Sequence, residues 1–178
     1  MTTYIINLIS GPGSGKTTMA VLLFAELKML GHTVEYVQEY AKKLVWMQDY
    51  ERLNNQYLVS KKQADLFWSI DGKVQYIVTD ACLLHGLYYN RHNPDNVSNV
   101  EKTEKLILER YNQFHNINIF LERGDFPYEP AGRIQSYQES ITIDNYLKKM
   151  MNEMKIPYKQ WASHRDNVSA IAQEILSK

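Results

Sequence analysis

The chain has 178 residues and carries 20 Lys and Arg against 20 Asp and Glu, so its formal net charge is zero. This length suits one domain over residues 1–178, and the neutral charge counts against non-specific polyanion binding while leaving a local basic groove open. A single cysteine, no membrane-length apolar stretch and no signal-peptide pattern predict a protein of the reducing cytoplasm without a membrane partner; the oligomeric state is not predicted.

A glycine-rich turn joins the first predicted strand to the first predicted helix. Tyr4–Ile9 is a short apolar run typical of a buried parallel strand, and apolar residues recur at helical spacing from Ala20 to Leu27. Between them lies SGPGSGKTT, residues 10–18. Glycines let successive backbone N–H groups converge on one anion, and the helix start adds its own N–H groups and dipole. This pattern predicts a phosphate-binding P-loop.

The residues of this P-loop have separate predicted roles. Lys16 is expected to reach the β- and γ-phosphates of a bound nucleotide, and the Thr17 hydroxyl to ligate Mg²⁺. The consensus has glycine where this chain has Ser10, and the remaining glycines are expected to supply the same chemistry. The residues predicted to bind the nucleotide are Gly11, Pro12, Gly13, Ser14, Gly15, Lys16, Thr17 and Thr18.

Two further predicted strands lead to an acidic residue. Thr33–Gln38 is followed by Glu39, and Val74–Asp80 itself ends in an acid. The carboxyl ends of parallel strands form the ligand-binding edge of an open α/β sheet, so both carboxylates are expected near the P-loop. Asp80 is predicted to hold magnesium directly or through water, with helix capping as the alternative. Glu39 is predicted to contact or deprotonate the acceptor, with a solvated glutamate as the alternative, and either acid could be the base.

Helical spacing recurs between the predicted strands. Leu53–Ile70 predicts one helix, and capping-box patterns that begin at Ser98 and Ser136 predict the starts of two more. Arg91–Asp95 is predicted to be a loop. The five histidines show no spacing typical of a metal site, so each is interpreted as a surface or core residue.

A long polar segment, residues 122–138, follows the fourth predicted strand. It contains Arg123 and Arg133 together with two glycines and two prolines. Long loops without secondary structure in compact domains are often lids that close over a ligand. Arg133 is therefore predicted to stabilise charge on the transferring phosphoryl group. Arg123 is predicted either to contact the nucleotide or to form a surface ion pair.

Five predicted strands alternate with helices, which indicates an α/β fold whose parallel sheet is covered on both faces. With the P-loop, the two acids and the arginine-bearing lid, the arrangement resembles the nucleoside and nucleotide kinase branch of P-loop proteins. This resemblance implies a three-layer P-loop NTPase fold with strand order 2-3-1-4-5. It also implies ATP and Mg²⁺ as cofactors and a lid that closes over ATP.

Four segments carry a narrower resemblance: SGPGSGKTT, VEYVQEYAKKLV, GKVQYIVTD and YEPAGRIQSYQESITIDNYL. They are similar to ribosylnicotinamide kinase domains and to phage P-loop kinases that phosphorylate 5-hydroxymethyluracil in DNA during thymidine hypermodification. Many relatives have Ser-Pro after the third-strand acid, where this chain has Ala81-Cys82. The resemblance implies a kinase that transfers the γ-phosphate of ATP to a primary hydroxyl, in the host cytoplasm if the chain is phage-encoded.

The sequence leaves alternatives open for the acceptor and for the reaction. The resemblance favours hydroxymethyluracil-containing DNA, whereas the neutral net charge favours a small nucleoside, nucleotide or ribosylnicotinamide. A base in DNA would be held by aromatic rings and its phosphates by cations. The aromatic candidates are Tyr57, Trp68, Tyr88 and Tyr89, and the cationic candidates are Lys42, Lys43, Lys61, Arg91 and His92. A nucleotide-dependent switch ATPase is the alternative of another class, although 178 residues leave little room for the extra helical domain usual there.

Overall fold

The computed structural model describes residues 1–124, 126–129 and 134–177. The strands are β1 (Tyr4–Ile9), β2 (Val34–Val37), β3 (Tyr76–Thr79), β4 (His115–Glu122) and β5 (Lys159–Ala162). The α-helices are α1 (Lys16–Met29), α2 (Tyr40–Met47), α3 (Tyr50–Leu53), α4 (Gln56–Trp68), α5 (His85–His92), α6 (Val100–Asn112), α7 (Tyr137–Glu153) and α8 (Val168–Leu176). Within the described ranges, no helix has both the length and the apolar character needed to cross a bilayer.

The five strands form one parallel sheet in the order β2-β3-β1-β4-β5. The predicted α/β fold and strand order are therefore confirmed. Val37 pairs with Thr79, and Thr79 pairs with Asn7, so β1, β2 and β3 end at the same edge of the sheet. This register brings together the P-loop after β1, Glu39 after β2 and Asp80 after β3.

Helices cover both faces of the sheet. Successive side chains of each strand point to opposite faces, so the strands contribute to two cores. Ile6 and Leu8 of β1 belong to a core that includes α1 and α8. Ile5 and Ile9 belong to a second core, on the other face, that includes α4, α5, α6 and α7. A continuous apolar run such as that of β1 is what a strand covered by helices on both faces requires.

One polar network crosses this apolar sheet. Asn7 Nδ2 donates to Oδ1 of Asn116 at 2.9 Å and to Oδ1 of Asn118 at 3.1 Å. Asn118 Nδ2 in turn donates to Tyr111 Oη at 2.7 Å. Because these buried amides are hydrogen-bonded, they tie β1 to β4 without the penalty of an unpaired polar group.

Two predicted element boundaries were wrong. The predicted helix Leu53–Ile70 is interrupted, because Asn55 starts a new helix: its side chain accepts a hydrogen bond from Leu58 N at 3.2 Å. α3 therefore ends before α4 begins. The predicted loop Arg91–Asp95 starts inside a helix, since α5 continues to His92.

The two predicted capping boxes had different outcomes. At the start of α7 the box is confirmed: Glu139 N donates to Ser136 Oγ, and Ser136 N donates to the Glu139 carboxylate. At the start of α6 the predicted cap Ser98 was wrong. Asn99 is the cap there, because its side-chain oxygen accepts a hydrogen bond from Lys102 N at 2.8 Å.

Candidate functional site

The P-loop after β1 has the left-handed backbone that its glycines allow. Gly13 and Gly15 have φ angles of 73° and 87°, a region that residues with a Cβ rarely adopt. The hydroxyls of Ser10 and Ser14 are buried and hydrogen-bonded to each other at 2.5 Å. The serine that replaces the consensus glycine therefore closes the turn with a bond that glycine could not make.

Lys16 places a buried ammonium group inside this turn. Its Nζ donates to Gly11 O at 2.8 Å. Burial lowers the pKa of Lys16, while the carboxylates of Glu39, Asp80 and Asp144 act in the opposite direction. Phosphate groups bound here would likewise favour the charged amine, because they add negative charge to a poorly solvated cation.

Asp80 is joined directly to the first turn of α1. Thr17 Oγ1 donates to Asp80 Oδ2 at 2.5 Å, and the carboxylate is 2% exposed. Thr79 fixes the turn that carries this acid, because its hydroxyl donates to Val37 O at 2.7 Å and accepts from Ala81 N at 3.0 Å. Among the described residues, Asp80 accepts its hydrogen bond from the Thr17 hydroxyl and not from a backbone N–H at a helix start, so these bonds do not support a helix-capping role.

Thr17 and Asp80 present the oxygen ligands that Mg²⁺ prefers. Asp80 Oδ1 is buried and makes no hydrogen bond of normal geometry to the described residues. The Tyr36 hydroxyl, which lies beside Asp80, is also buried and makes no such hydrogen bond. Burial and the Asp80 charge raise the pKa of Tyr36, so this phenol stays neutral. In the part of the chain that is described, no group of three His, Cys, Asp or Glu residues is placed to hold a metal ion. A magnesium ion would therefore also need ligands from phosphate and water.

Glu39 begins α2, and a glutamine from α4 fixes the turn that carries it. Gln63 Oε1 accepts from Tyr40 N at 2.9 Å, and its Nε2 donates to Gln38 O at 3.4 Å. Glu39 lines the same cleft as Lys16 and acts electrostatically on it. The sheet edge thus brings Glu39 to the P-loop, while its role toward an acceptor stays a prediction.

Arg123 and Asp144 brace the P-loop from its outer side. Arg123 Nε donates to Asp144 Oδ2 at 2.6 Å, and its Nη1 donates to Pro12 O at 3.0 Å. Asp144 Oδ1 accepts from Gly11 N at 2.5 Å. The two side chains are only 17% and 15% exposed, so Arg123 forms a largely buried ion pair rather than a surface one. Arg133, the other predicted lid arginine, lies outside the described residues.

Residues 126–129 pack against the same side of the P-loop. A Cβ added to Gly13 would lie 2.3 Å from the Tyr128 ring, and one added to Gly15 would lie 2.4 Å from the Phe126 ring. The Tyr128 hydroxyl donates to Gln135 O, which connects this stretch to the segment before α7. The glycines are therefore needed for packing as well as for backbone conformation.

A single cleft of about 890 Å³ extends from the P-loop, between α2, α3 and α4 on one side and α5 and the start of α7 on the other. This volume lies within the usual range for small-molecule sites. Its polar lining outside the P-loop includes Glu39, Lys42, Asn54, Gln56, Ser60, Asp80, His85 and Asn93. The cleft therefore has the size of a small-molecule site and continues well beyond the P-loop.

The cleft includes half of the aromatic residues predicted to hold a base. Tyr88 and Tyr89 line it. Trp68 instead packs against Phe114 at a ring-centroid distance of 5.5 Å, and Tyr57 faces α6. Neither Trp68 nor Tyr57 lines the cleft, because both side chains lie on parts of α4 that are turned away from it.

The cations predicted to hold phosphates divide in a similar way. Lys42 and His92 line the cleft. Arg91 points away and pairs with a carboxylate of α6. Lys43 and Lys61 are outside the lining of the cleft.

His85 is a site residue that the sequence reasoning missed. It begins α5 and lines the cleft, and its Nε2 is buried without a hydrogen-bond partner among the described residues. Burial, and then the nearby charge of Lys16, lowers the pKa of His85 to about 3. The imidazole is therefore neutral at physiological pH.

A protein-family model described as an AAA domain (AAA_28), a P-loop NTPase-like family, matches residues 5–166. The matched region contains the P-loop, both acids and all five strands except Tyr4, the first residue of β1. No curated protein matches the sequence significantly.

Replacing Gly15 with alanine is expected to destabilise the chain more than the same change at Gly31. The two φ angles are 87° and 89°, so both changes carry a similar backbone penalty of about 1 kcal/mol. Only at Gly15 would the new Cβ overlap Phe126 and Ser163, whereas nothing lies within 4 Å at Gly31. Overpacking adds about 1–3 kcal/mol. Urea unfolding without nucleotide measures both losses, and equal losses would contradict the packing of Phe126 on the P-loop.

Acid is expected to destabilise the wild-type chain more than the His85→Gln variant. The unfolded state binds a proton at this position below about pH 6.5, whereas the folded state excludes it down to about pH 3. Stability therefore falls as the pH drops below 6.5. Between pH 7 and pH 5 the wild type should lose about 1–2 kcal/mol more than the variant in urea unfolding.

The exposed histidine His115, at the opposite edge of the sheet, supplies the control. The His115→Gln variant should lose as much stability in acid as the wild type. An equal loss in the wild type and His85→Gln would mean that His85 is readily protonated in the folded chain.

Proposed function

The chain belongs to the AAA domain family, and we propose that it is an ATP-dependent kinase that transfers the γ-phosphate to a primary hydroxyl group. The observation that carries this proposal is the continuity of the cleft: the P-loop, Glu39 and Asp80 open into one space of about 890 Å³. Hydrolysis alone would need room only for water. The extension of the cleft past the P-loop, as far as Asn54 and Asn93, supports a phosphotransferase.

In this proposal the nucleotide phosphates are held by the P-loop backbone, and Lys16 contacts the β- and γ-phosphates. Lys16 would exchange its bond to Gly11 O for phosphate oxygens. Thr17 and Asp80 would hold a magnesium ion, which neutralises charge on the transferring group when it is bound. The family match supports nucleotide binding, and the choice of ATP and Mg²⁺ is part of the proposal.

The transfer forms one bond and breaks another. The acceptor hydroxyl oxygen attacks the γ-phosphorus, the bond from that phosphorus to the β–γ bridging oxygen breaks, and ADP leaves with the electron pair. The hydroxyl proton passes to a carboxylate. We assign this role to Glu39, because Asp80 already accepts a hydrogen bond from Thr17 and is required beside the cation. The transition state is loose, so the main contribution of Glu39 is to orient the hydroxyl.

For the acceptor we propose the 5-hydroxymethyl group of 5-hydroxymethyluracil in DNA. The support is the similarity of four sequence segments to phage kinases of that specificity, together with Tyr88, Tyr89, Lys42 and His92 along the cleft. Aromatic rings can stack on an unstacked base, and cations can contact flanking phosphates. A small nucleoside, nucleotide or ribosylnicotinamide is the alternative, and it fits the same space.

Transfer of label from γ-labelled ATP tests this function. The acceptors, offered separately, are an oligonucleotide with one 5-hydroxymethyluracil, the matching thymine oligonucleotide, 5-hydroxymethyl-2′-deoxyuridine and ribosylnicotinamide. Label on the modified oligonucleotide only, with activity that falls steeply as salt rises, supports the DNA acceptor. Label on a free nucleoside supports the alternative. Release of inorganic phosphate with every acceptor unlabelled would favour a switch ATPase instead.

Lys16→Ala is expected to abolish transfer while leaving the chain folded. The ammonium group is buried, and its charge serves the phosphates rather than the turn, which depends on glycines and on the Ser10–Ser14 bond. The labelled-phosphate assay and thermal unfolding measure both effects. Lys28→Ala, at the exposed end of α1, is the control and should keep full activity. Near wild-type transfer by Lys16→Ala would contradict the P-loop assignment.

Glu39→Gln is expected to lower kcat by roughly 10²-fold, the usual scale for a general base, with little change in the KM for ATP. Glutamine keeps the shape of the side chain but removes its charge and most of its basicity. Glu35→Gln, an exposed glutamate of β2, is the matched control and should behave like the wild type. If kcat is unchanged in Glu39→Gln and collapses in Asp80→Asn, Asp80 is the base.

A further inference from the structure

The start of α5 is held between the P-loop and α4. Gly86 packs directly on α4, because a Cβ added there would lie 2.8 Å from Ser60 Oγ and 3.1 Å from Gln56 Nε2. The preceding residue, His85, lines the cleft and lies close enough to Lys16 to feel its charge. The close approach of Gly86 to α4 therefore fixes the backbone from which the His85 side chain projects.

The His85 ring carries a polar atom that the described residues leave unpaired. Its Nε2 is inaccessible to solvent and has no hydrogen-bond partner among them. Buried polar atoms in native proteins are almost always hydrogen-bonded. A neutral imidazole offers one donor and one acceptor, and the His85 ring lines the cleft, so rotation of the ring would present the unpaired nitrogen to a ligand that enters there.

We propose that His85 is a specificity-determining residue that hydrogen-bonds the acceptor beside the hydroxyl that is phosphorylated. This inference rests on the proposed kinase function and identifies the chemistry of its acceptor: an uncharged polar group, such as a carbonyl, imide or second hydroxyl, next to the reactive hydroxyl. The 4-carbonyl of 5-hydroxymethyluracil, next to the hydroxymethyl substituent, is a group of this kind.

The surroundings of His85 favour an uncharged group over an anionic one. Gln56 Nε2 donates to Ser60 Oγ at 2.9 Å, so the α4 wall beside the ring presents amide and hydroxyl groups. Glu39 and Asp80 place negative charge at the same end of the cleft. These carboxylates would repel an anionic group on the substrate. An uncharged group that donates or accepts a hydrogen bond can instead pair with the imidazole.

The test is the steady-state kinetics of His85→Phe and His85→Gln with the acceptor that the wild type phosphorylates. The three probes are the 5-hydroxymethyluracil oligonucleotide, 5-hydroxymethyl-2′-deoxyuridine and ribosylnicotinamide. Phenylalanine keeps the ring but removes both nitrogens, and glutamine retains a donor and an acceptor. We expect His85→Phe to raise the KM for the acceptor at least tenfold, and His85→Gln to restore it to within about threefold of the wild type. The KM for ATP should stay within twofold in both.

Controls separate this inference from the function on which it rests. His115→Phe changes a histidine far from the cleft and should leave both KM values unchanged. If His85→Phe does not fold, His85→Met provides an apolar side chain that adapts to irregular space. If the wild type transfers phosphate and the apolar variant has the same KM for the acceptor, the role of His85 is overturned while the kinase function stands. Transfer to none of the probes overturns the proposed function and the inference together.

Discussion

One electrostatic constraint organises the site: the poorly solvated amine of Lys16 lies among three carboxylates. Lys16 is held inside the P-loop, where burial favours its neutral form, and carboxylates from three different elements oppose that effect. Glu39 follows β2, Asp80 follows β3 and Asp144 comes from α7. The parallel register of the sheet brings the first two to the P-loop, and the packing of α7 brings the third. A bound phosphate chain would add negative charge beside Lys16 and would favour the charged form of its amine further.

The brace around the P-loop connects the nucleotide site to the segment after β4. Arg123, Asp144, Phe126 and Tyr128 all contact the outer side of the turn through hydrogen bonds or close packing. Hydrogen bonds and close packing therefore join the P-loop to the described residues that follow β4.

Local sequence patterns were sufficient for the α/β class and for the approach of Glu39 and Asp80 to Lys16, whereas the strand order was implied by the resemblance to nucleoside and nucleotide kinases. The glycine turn, the apolar strands and the acids at strand ends are short-range signals, and the parallel-sheet rule then places Glu39 and Asp80 near Lys16. Contacts between distant parts of the chain left no such signal. Asp144 accepts a hydrogen bond from Gly11 N, 133 residues away in the sequence. From the sequence alone, an acid on an amphipathic helix is interpreted as a surface residue. His85 was interpreted as an ordinary histidine because only the cleft wall reveals that its Nε2 is buried and unpaired.

A crystal structure of the chain with ADP, beryllium fluoride, magnesium and the phosphorylatable acceptor would test the central claim most directly. We expect the beryllium fluoride to lie within hydrogen-bond reach of Lys16 Nζ, the cation to contact Thr17 or Asp80, and the acceptor hydroxyl to lie between the fluoride and the Glu39 carboxylate. We also expect Lys16 to have left Gly11 O. An acceptor hydroxyl bound away from the γ-phosphate position, or a Glu39 carboxylate directed away from it, would contradict the account.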